Sequence, residues 1–165
     1  MGTKKSLRRC SMLRLICALI LVLLIATPSL AQQSLVGTWK LVSVQREIDG
    51  KPDPMPGKPP RGYLIITPKA YVMLQTEGTR KYGESAADKA ALWESMTASA
   101  GSYRVEGKKL VMIPDTHSNE SMVGTPVTRN WEIKGSRLIL SDEPRPWSRD
   151  PSKKVVARRE FERID

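Results

Sequence analysis

Residues 35–50 read Leu-Val-Gly-Thr-Trp-Lys-Leu-Val-Ser-Val-Gln-Arg-Glu-Ile-Asp-Gly. From Leu35 to Ile48 apolar and polar side chains alternate, and β-branched residues are frequent. That is the pattern of a strand with one buried face, and Asp49-Gly50 supplies the turn that ends it. The pattern returns at Gly62 to Thr67, Tyr71 to Thr76, Ser102 to Glu106, Lys109 to Ile113, Val123 to Ile133, Arg137 to Ser141 and Val155 to Ile164. Pro68-Lys69-Ala70, Glu106-Gly107-Lys108 and Lys134-Gly135-Ser136 separate neighbouring runs at hairpin spacing. Eight strands at these intervals predict a mostly β domain, a barrel or a sandwich.

Two stretches interrupt the strands. Lys51 to Pro60 carries Pro52, Pro54, Pro56, Pro59 and Pro60, none of which can donate to a sheet ladder. It reads as a stiff surface loop placed to overhang one end of a barrel. Ser85 followed by Asp88 resembles a capping box, and Ala86 to Ala98 is rich in helix formers. One helix is expected there, with Ala90, Leu92, Trp93 and Met96 at the spacing that packs against a sheet.

Ahead of the strands, Lys4, Lys5, Arg8, Arg9 and Arg14 precede an uncharged apolar run from Leu15 to Ile25, then Thr27, Pro28, Ser29, Leu30 and Ala31. Positive, apolar and small-residue regions in that order predict a signal peptide over 1–31, cleaved after Ala31. The apolar run is shorter than the roughly 17 to 25 residues of a membrane span, so no stable membrane insertion is expected after cleavage. Cys10 and Cys17 both fall within this segment, and neither stands at the cleavage junction where lipid attachment would require it. The mature domain, 32–165, therefore has no cysteine although its expected destination is periplasmic or secreted, where disulfides persist.

Removing that segment also changes the charge. The whole chain carries +10, but five of its 27 basic residues and none of its 17 acidic ones precede residue 32. The mature excess of five, mixed in sign, is a solubility feature. Lys153, Lys154, Arg158, Arg159 and Arg163 gather near the C-terminus, which reads as a solvated strand face. Nucleic acid is not an expected partner of an exported protein of this composition.

Gly37-Thr38-Trp39 at the start of the first strand matches a G-x-W signature, and further matches are Arg61 to Pro68, Gly101-Ser102-Tyr103, Gly124-Thr125, Arg129, Gly135 to Leu140 and the closing Phe161-Glu162-Arg163. In these the chain resembles the bacterial lipocalin-like domain family, over Leu35 to Ile164. The resemblance implies an up-and-down β-barrel with Trp39 plugging its base and a strand-borne arginine over the indole. Arg163 is the best candidate for that cover by motif and Arg159 the next. Gly37, Trp39 and Arg163 are thus structural signature residues. It further implies a small hydrophobic or amphipathic ligand, with no cofactor and no metal.

Strand alternation proposes the lining. Val127, Arg129, Trp131 and Ile133 share one side of their strand, and the companion inward residues are Tyr71, Met73, Tyr103, Val105, Leu110, Met112, Leu138 and Leu140. Arg129, Trp131, Tyr71, Met73, Tyr103 and Met112 are the candidate ligand-binding residues. A guanidinium inside an apolar barrel must be paired or near water. Arg129 either meets the anionic group of a ligand, pairs with an internal glutamate, or stacks on Trp131.

His117, the single histidine, lies in the polar stretch Pro114 to Glu120 and is placed at the rim of the barrel mouth. Asp115, His117 and Ser118 are too close in sequence to form a triad of converging groups, and one histidine without cysteine is a poor zinc set. No phosphate loop, nucleophile elbow or paired-carboxylate spacing occurs. Three readings follow: a carrier of a small molecule, a barrel enzyme of isomerase or cyclase type using Arg129, Tyr103 or His117, and a filled barrel that works through surface contacts with an unidentified protein. The first is favoured, and the interior decides among them.

Overall fold

A computed structural model describes residues 34–53, 58–147 and 150–165. The expected signal peptide, 1–31, and Pro54 and Pro56 of the proline-bearing loop lie outside the described residues. The elements, in chain order, are strands β1 (Gly37–Ile48), β2 (Lys51–Pro52), β3 (Arg61–Ile66) and β4 (Ala70–Thr76), helix α1 (Ala86–Glu94), strands β5 (Met96–Glu106) and β6 (Lys109–His117), a 3-10 turn (Glu120–Met122), and strands β7 (Val127–Lys134), β8 (Arg137–Asp142), β9 (Arg145–Trp147) and β10 (Asp150–Arg163).

Every pairing is antiparallel, in the order β1-β3-β4-β5-β6-β7-β8-β10, and β10 returns to β1 along Trp39↔Arg163 to Ile48↔Val155. The result is a closed eight-stranded barrel. β2 and β9 are short additions alongside β1 and β10. Asp49 and Gly50 both take positive φ, 50° and 73°, in the tight turn from β1 to β2.

Two bulges interrupt the alternation within the barrel wall, and a further register shift lies between Asp150 and Lys154 where β10 meets β9. Register shifts between Leu41 and Ser43 in β1, so Val44 faces Arg159, Arg46 faces Ala157, and Ile48 faces Val155. In β6, Gly101 opposes Pro114 while Ala100 opposes Thr116, which leaves Asp115 as the extra residue. Each bulge moves the residues beyond it to the other face of the strand.

One end of the barrel is solid. Trp39, Leu64, Leu110, Leu138, Leu140 and Phe161 are buried there with Leu35 beneath them. Each such side chain contributes about 1.5–3 kcal/mol on removal from water. The guanidinium of Arg163, not that of Arg159, stands over the Trp39 ring at 4.2 Å. It also donates to the carbonyls of Val36 and Ser34 at 2.9 and 2.7 Å, while the Trp39 indole N–H donates to the Leu35 carbonyl.

Several boundaries differ from the sequence pattern, for physical reasons. The helix ends at Glu94, because Ser95 caps it and Arg80 donates to the Leu92 carbonyl; Met96 to Ala98 join β5 against β4. No residue of α1 is buried and Trp93 is 57% exposed, so the expected packing of Trp93 on the sheet does not occur. Met122 N–H bonds back to the Asn119 carbonyl in the 3-10 turn, which delays β7 to Val127. His117 is the last residue of β6 rather than part of a loop.

Candidate functional site

The opposite end is hollow. There the strands that carry Gln75, Ser99, Arg129, Asp142 and Arg159 send polar side chains into the lumen where the closed end has leucines. Arg129 and Ser99 are buried. Asp142 is the next inward position after Leu138 and Leu140 on β8, and its residue neighbours across the sheet include Arg129 on β7.

These groups form a bar across the lumen. Gln75 Oε1 on β4 accepts from Arg159 Nε on β10 at 3.2 Å, and Arg159 Nη1 donates to Asp142 Oδ1 on β8 at 2.9 Å. The same oxygen accepts from Arg129 Nε on β7 at 3.0 Å, and Arg129 Nη1 reaches Met112 Sδ on β6 at 2.9 Å. Beside the bar, the Tyr71 hydroxyl and Ser99 Oγ are 2.7 Å apart.

Two guanidiniums therefore share one carboxylate oxygen. Burial raises the Asp142 carboxyl, but Arg159 and Arg129 outweigh it and hold the group below the usual carboxylate range. Burial lowers the Arg129 guanidinium, reinforced by the charge of Arg159 and opposed by Asp142. Burial likewise pushes the Tyr71 hydroxyl up. The Nη2 groups of Arg129 and Arg159 have no acceptor among the described residues.

The bar separates two recesses. One, of about 540 Å³, lies toward β5, β6 and β7 and is bordered by Tyr71, Met73, Met112, Arg129, His117 and Val127. The other, of about 670 Å³, lies toward β1 and β10 and is bordered by Val44, Pro59, Pro60, Trp147, Val155 and Ala157. Gln75, Arg145 and Arg159 border both. Each volume falls in the range of about 300–1,000 Å³ that holds small ligands.

A match to the model of the lipocalin-like domain spans residues 36–160. The chain belongs to the lipocalin-like domain family. No curated protein and no solved structure matches it. Within this lipocalin-like barrel, four of the six candidate lining residues, Tyr71, Met73, Met112 and Arg129, meet at one recess with His117 at its rim. Tyr103 and Trp131 line neither recess. The Tyr103 hydroxyl donates to the Thr67 carbonyl at 2.8 Å, and the Trp131 indole donates to the Gly107 carbonyl at 3.1 Å beyond the point where β6 and β7 part.

His117 reaches the recess because of the Asp115 bulge, which sets it opposite Ser99. Its Nδ1 accepts from the Asn119 N–H at 2.9 Å, so the neutral ring carries its proton on Nε2. Arg129 is paired with neither a glutamate nor Trp131; its partner is Asp142. Asp142, Gln75 and Ser99 are site residues that the sequence pattern did not single out. One further step of two from Leu140 reaches Asp142, and that was the available signal.

Proposed function

We propose that the mature chain is exported by the segment 1–31 and binds a small amphipathic molecule with an anionic group in the open half of its barrel. The observation that carries this reading is the sharing of Asp142 Oδ1 by Arg129 and Arg159. The buried Arg129 and the half-buried Arg159 against one carboxylate leave one positive charge in the lumen, and a cation withdrawn from water is costly until an anion or water meets it. The free Nη2 groups present a carboxylate or phosphate with donors of matching geometry. Met73, Met112 and Val127 offer apolar contact to the rest of such a molecule.

A second reading rests on His117 and Arg129 bordering one recess. An imidazole and a guanidinium around one cavity suit proton transfer on a bound anion. Carriage and chemistry part in one experiment: protein purified from its own host's periplasm, native mass spectrometry, and identification of what it holds. A stoichiometric amphipathic acid, released unchanged and lost in Arg129→Ala, supports carriage. A substrate and product pair whose ratio changes in His117→Ala supports catalysis. Protein that arrives empty and binds none of a panel of fatty acids, isoprenoids and aromatic acids overturns both.

A further inference from the structure

We infer that the outer wall formed by β3 and β4 docks the mature chain reversibly on an anionic phospholipid surface. Alternation sets the composition of that wall. Leu64, Ile66, Tyr71 and Met73 fill the interior, so Tyr63, Ile65, Val72 and Leu74 point outward. The pairings Tyr63↔Leu74 and Ile65↔Val72 place these four side chains in one block. Each is between 41% and 51% exposed.

Elsewhere the barrel covers outward apolar side chains. Val111 on β6 and Ile139 on β8 also point outward, yet only 3% and 7% of their surface is exposed. Arg104 stands across from Val111, and Glu132 and Glu160 stand on either side of Ile139, so the stems of long charged residues can lie over them. The block on β3 and β4 lacks that cover along most of its border. Its neighbours are Thr38 beside Ile65, Ala100 beside Val72 and Ala98 beside Leu74, all too short to reach over a larger side chain. A contiguous apolar patch left bare in this way marks an interaction surface.

Charge names the partner. Lys40 stands beside Tyr63, Arg61 is the next outward position on β3, and Lys69 occupies the turn to β4. All three are exposed, and none forms an ion pair among the described residues. β3 and β4 contain no Asp or Glu, and β5 contains none before Glu106. On the other flank Glu162, beside Lys40 on β10, is engaged by Arg137. A second copy of this wall would therefore bring no free carboxylate to the three cations. Its apolar block is also small, four side chains on two strands, whereas each partner in a stable dimer buries about 800 Å². A lipid surface has neither difficulty. Anionic headgroups meet Lys40, Arg61 and Lys69, the aliphatic side chains enter the boundary between headgroups and acyl chains, and the amphipathic ring of Tyr63 suits that depth. Docking of this kind is peripheral and requires no membrane-spanning segment.

The test is sedimentation of the mature chain, Gln32 to Asp165, with vesicles of phosphatidylcholine alone and of phosphatidylcholine with phosphatidylglycerol in equal parts. The expected result is binding to the mixed vesicles, with binding to phosphatidylcholine about tenfold weaker. Ile65→Glu and Leu74→Glu should each weaken binding to the mixed vesicles by about tenfold, and Arg61→Gln by about fivefold. Thermal unfolding checks each variant, and Leu74→Ser replaces Leu74→Glu if that protein does not fold. The double variant Lys153→Gln, Lys154→Gln removes charge from β10 instead and should stay within about twofold of the parent. Equal binding to both kinds of vesicle, binding to neither, or a loss in the β10 double variant that Leu74→Glu does not share overturns the proposal. So does a dimer, found by equilibrium sedimentation without lipid and dispersed by Leu74→Glu, because it assigns the wall to a second copy.

Discussion

A Cβ at position 37 would overlap Nη1 of Arg163, the guanidinium that covers Trp39. Gly37 also holds φ at 149°, where side chains are strained. The glycine and the arginine are thus one device: the backbone of β1 is bared so that a cation can lie across it and reach the carbonyls of Ser34 and Val36.

Gly37→Ala is expected to cost ~1–3 kcal/mol, and Arg163→Met ~2–4 kcal/mol through the ring contact and the two carbonyl bonds. The double variant will cost less than the sum, because alanine at 37 damages chiefly what Arg163 does. Urea denaturation of the four proteins measures this, and strict additivity would separate the two residues.

Asp142→Asn leaves the buried Arg129 and the half-buried Arg159 without their shared carboxylate. The expected loss is ~3–5 kcal/mol, and Arg159→Gln in that background restores part of it by removing the repulsion. An Asp142→Asn midpoint equal to the parent's would mean that the bar carries no stability.

The same carboxylate predicts an acid dependence. Asp142 is held below its ordinary value in the folded chain, whereas in the unfolded chain it titrates near 3.9. Its contribution is therefore complete above about pH 4 and is lost as pH falls toward the folded value. The stability gap between the parent and Asp142→Asn should be constant from pH 7 to 5 and narrow below about 4. A gap as wide at pH 2.5 as at pH 7 would assign the loss in Asp142→Asn to packing.

Ser85 Oγ accepts the Asp88 N–H at 3.1 Å and caps α1, yet no residue of that helix is buried. Ser85→Ala should loosen the helix by about 0.5–2 kcal/mol and leave the barrel's melting temperature nearly unchanged. Hydrogen exchange read by mass spectrometry should rise over 86–94 alone. Faster exchange throughout β4 and β5 would show that the helix supports the barrel.

Most of the fold was legible because strand alternation, turn residues and the Gly37-Thr38-Trp39 motif are local features. The strands of the barrel, the plug at Trp39 and its cover by Arg163 all follow from them together with the family resemblance. Boundaries were less legible where a side chain ends an element, as Arg80 does at the C-terminus of α1. The exposed Trp93 was misread because an apolar spacing cannot say whether a sheet lies within reach.

The site was legible only in part. Alternation alone placed Tyr71, Met73, Met112 and Arg129 inward, since those positions lie on unbulged stretches of strand. It could not place His117 or Arg46, which a bulge turns inward in each case. Nor could it pair Arg129 with Asp142 and Arg159, because alternation gives the face of each residue but not the register between β7, β8 and β10. The sequence by itself determined which side chains share a face along each unbulged stretch of strand, a property of two-residue periodicity. The tertiary structure decided which charges share one oxygen, because that depends on the register of β7, β8 and β10, and that a bar crosses the lumen, because Arg159 meets Gln75 of β4 only once β10 closes onto β1.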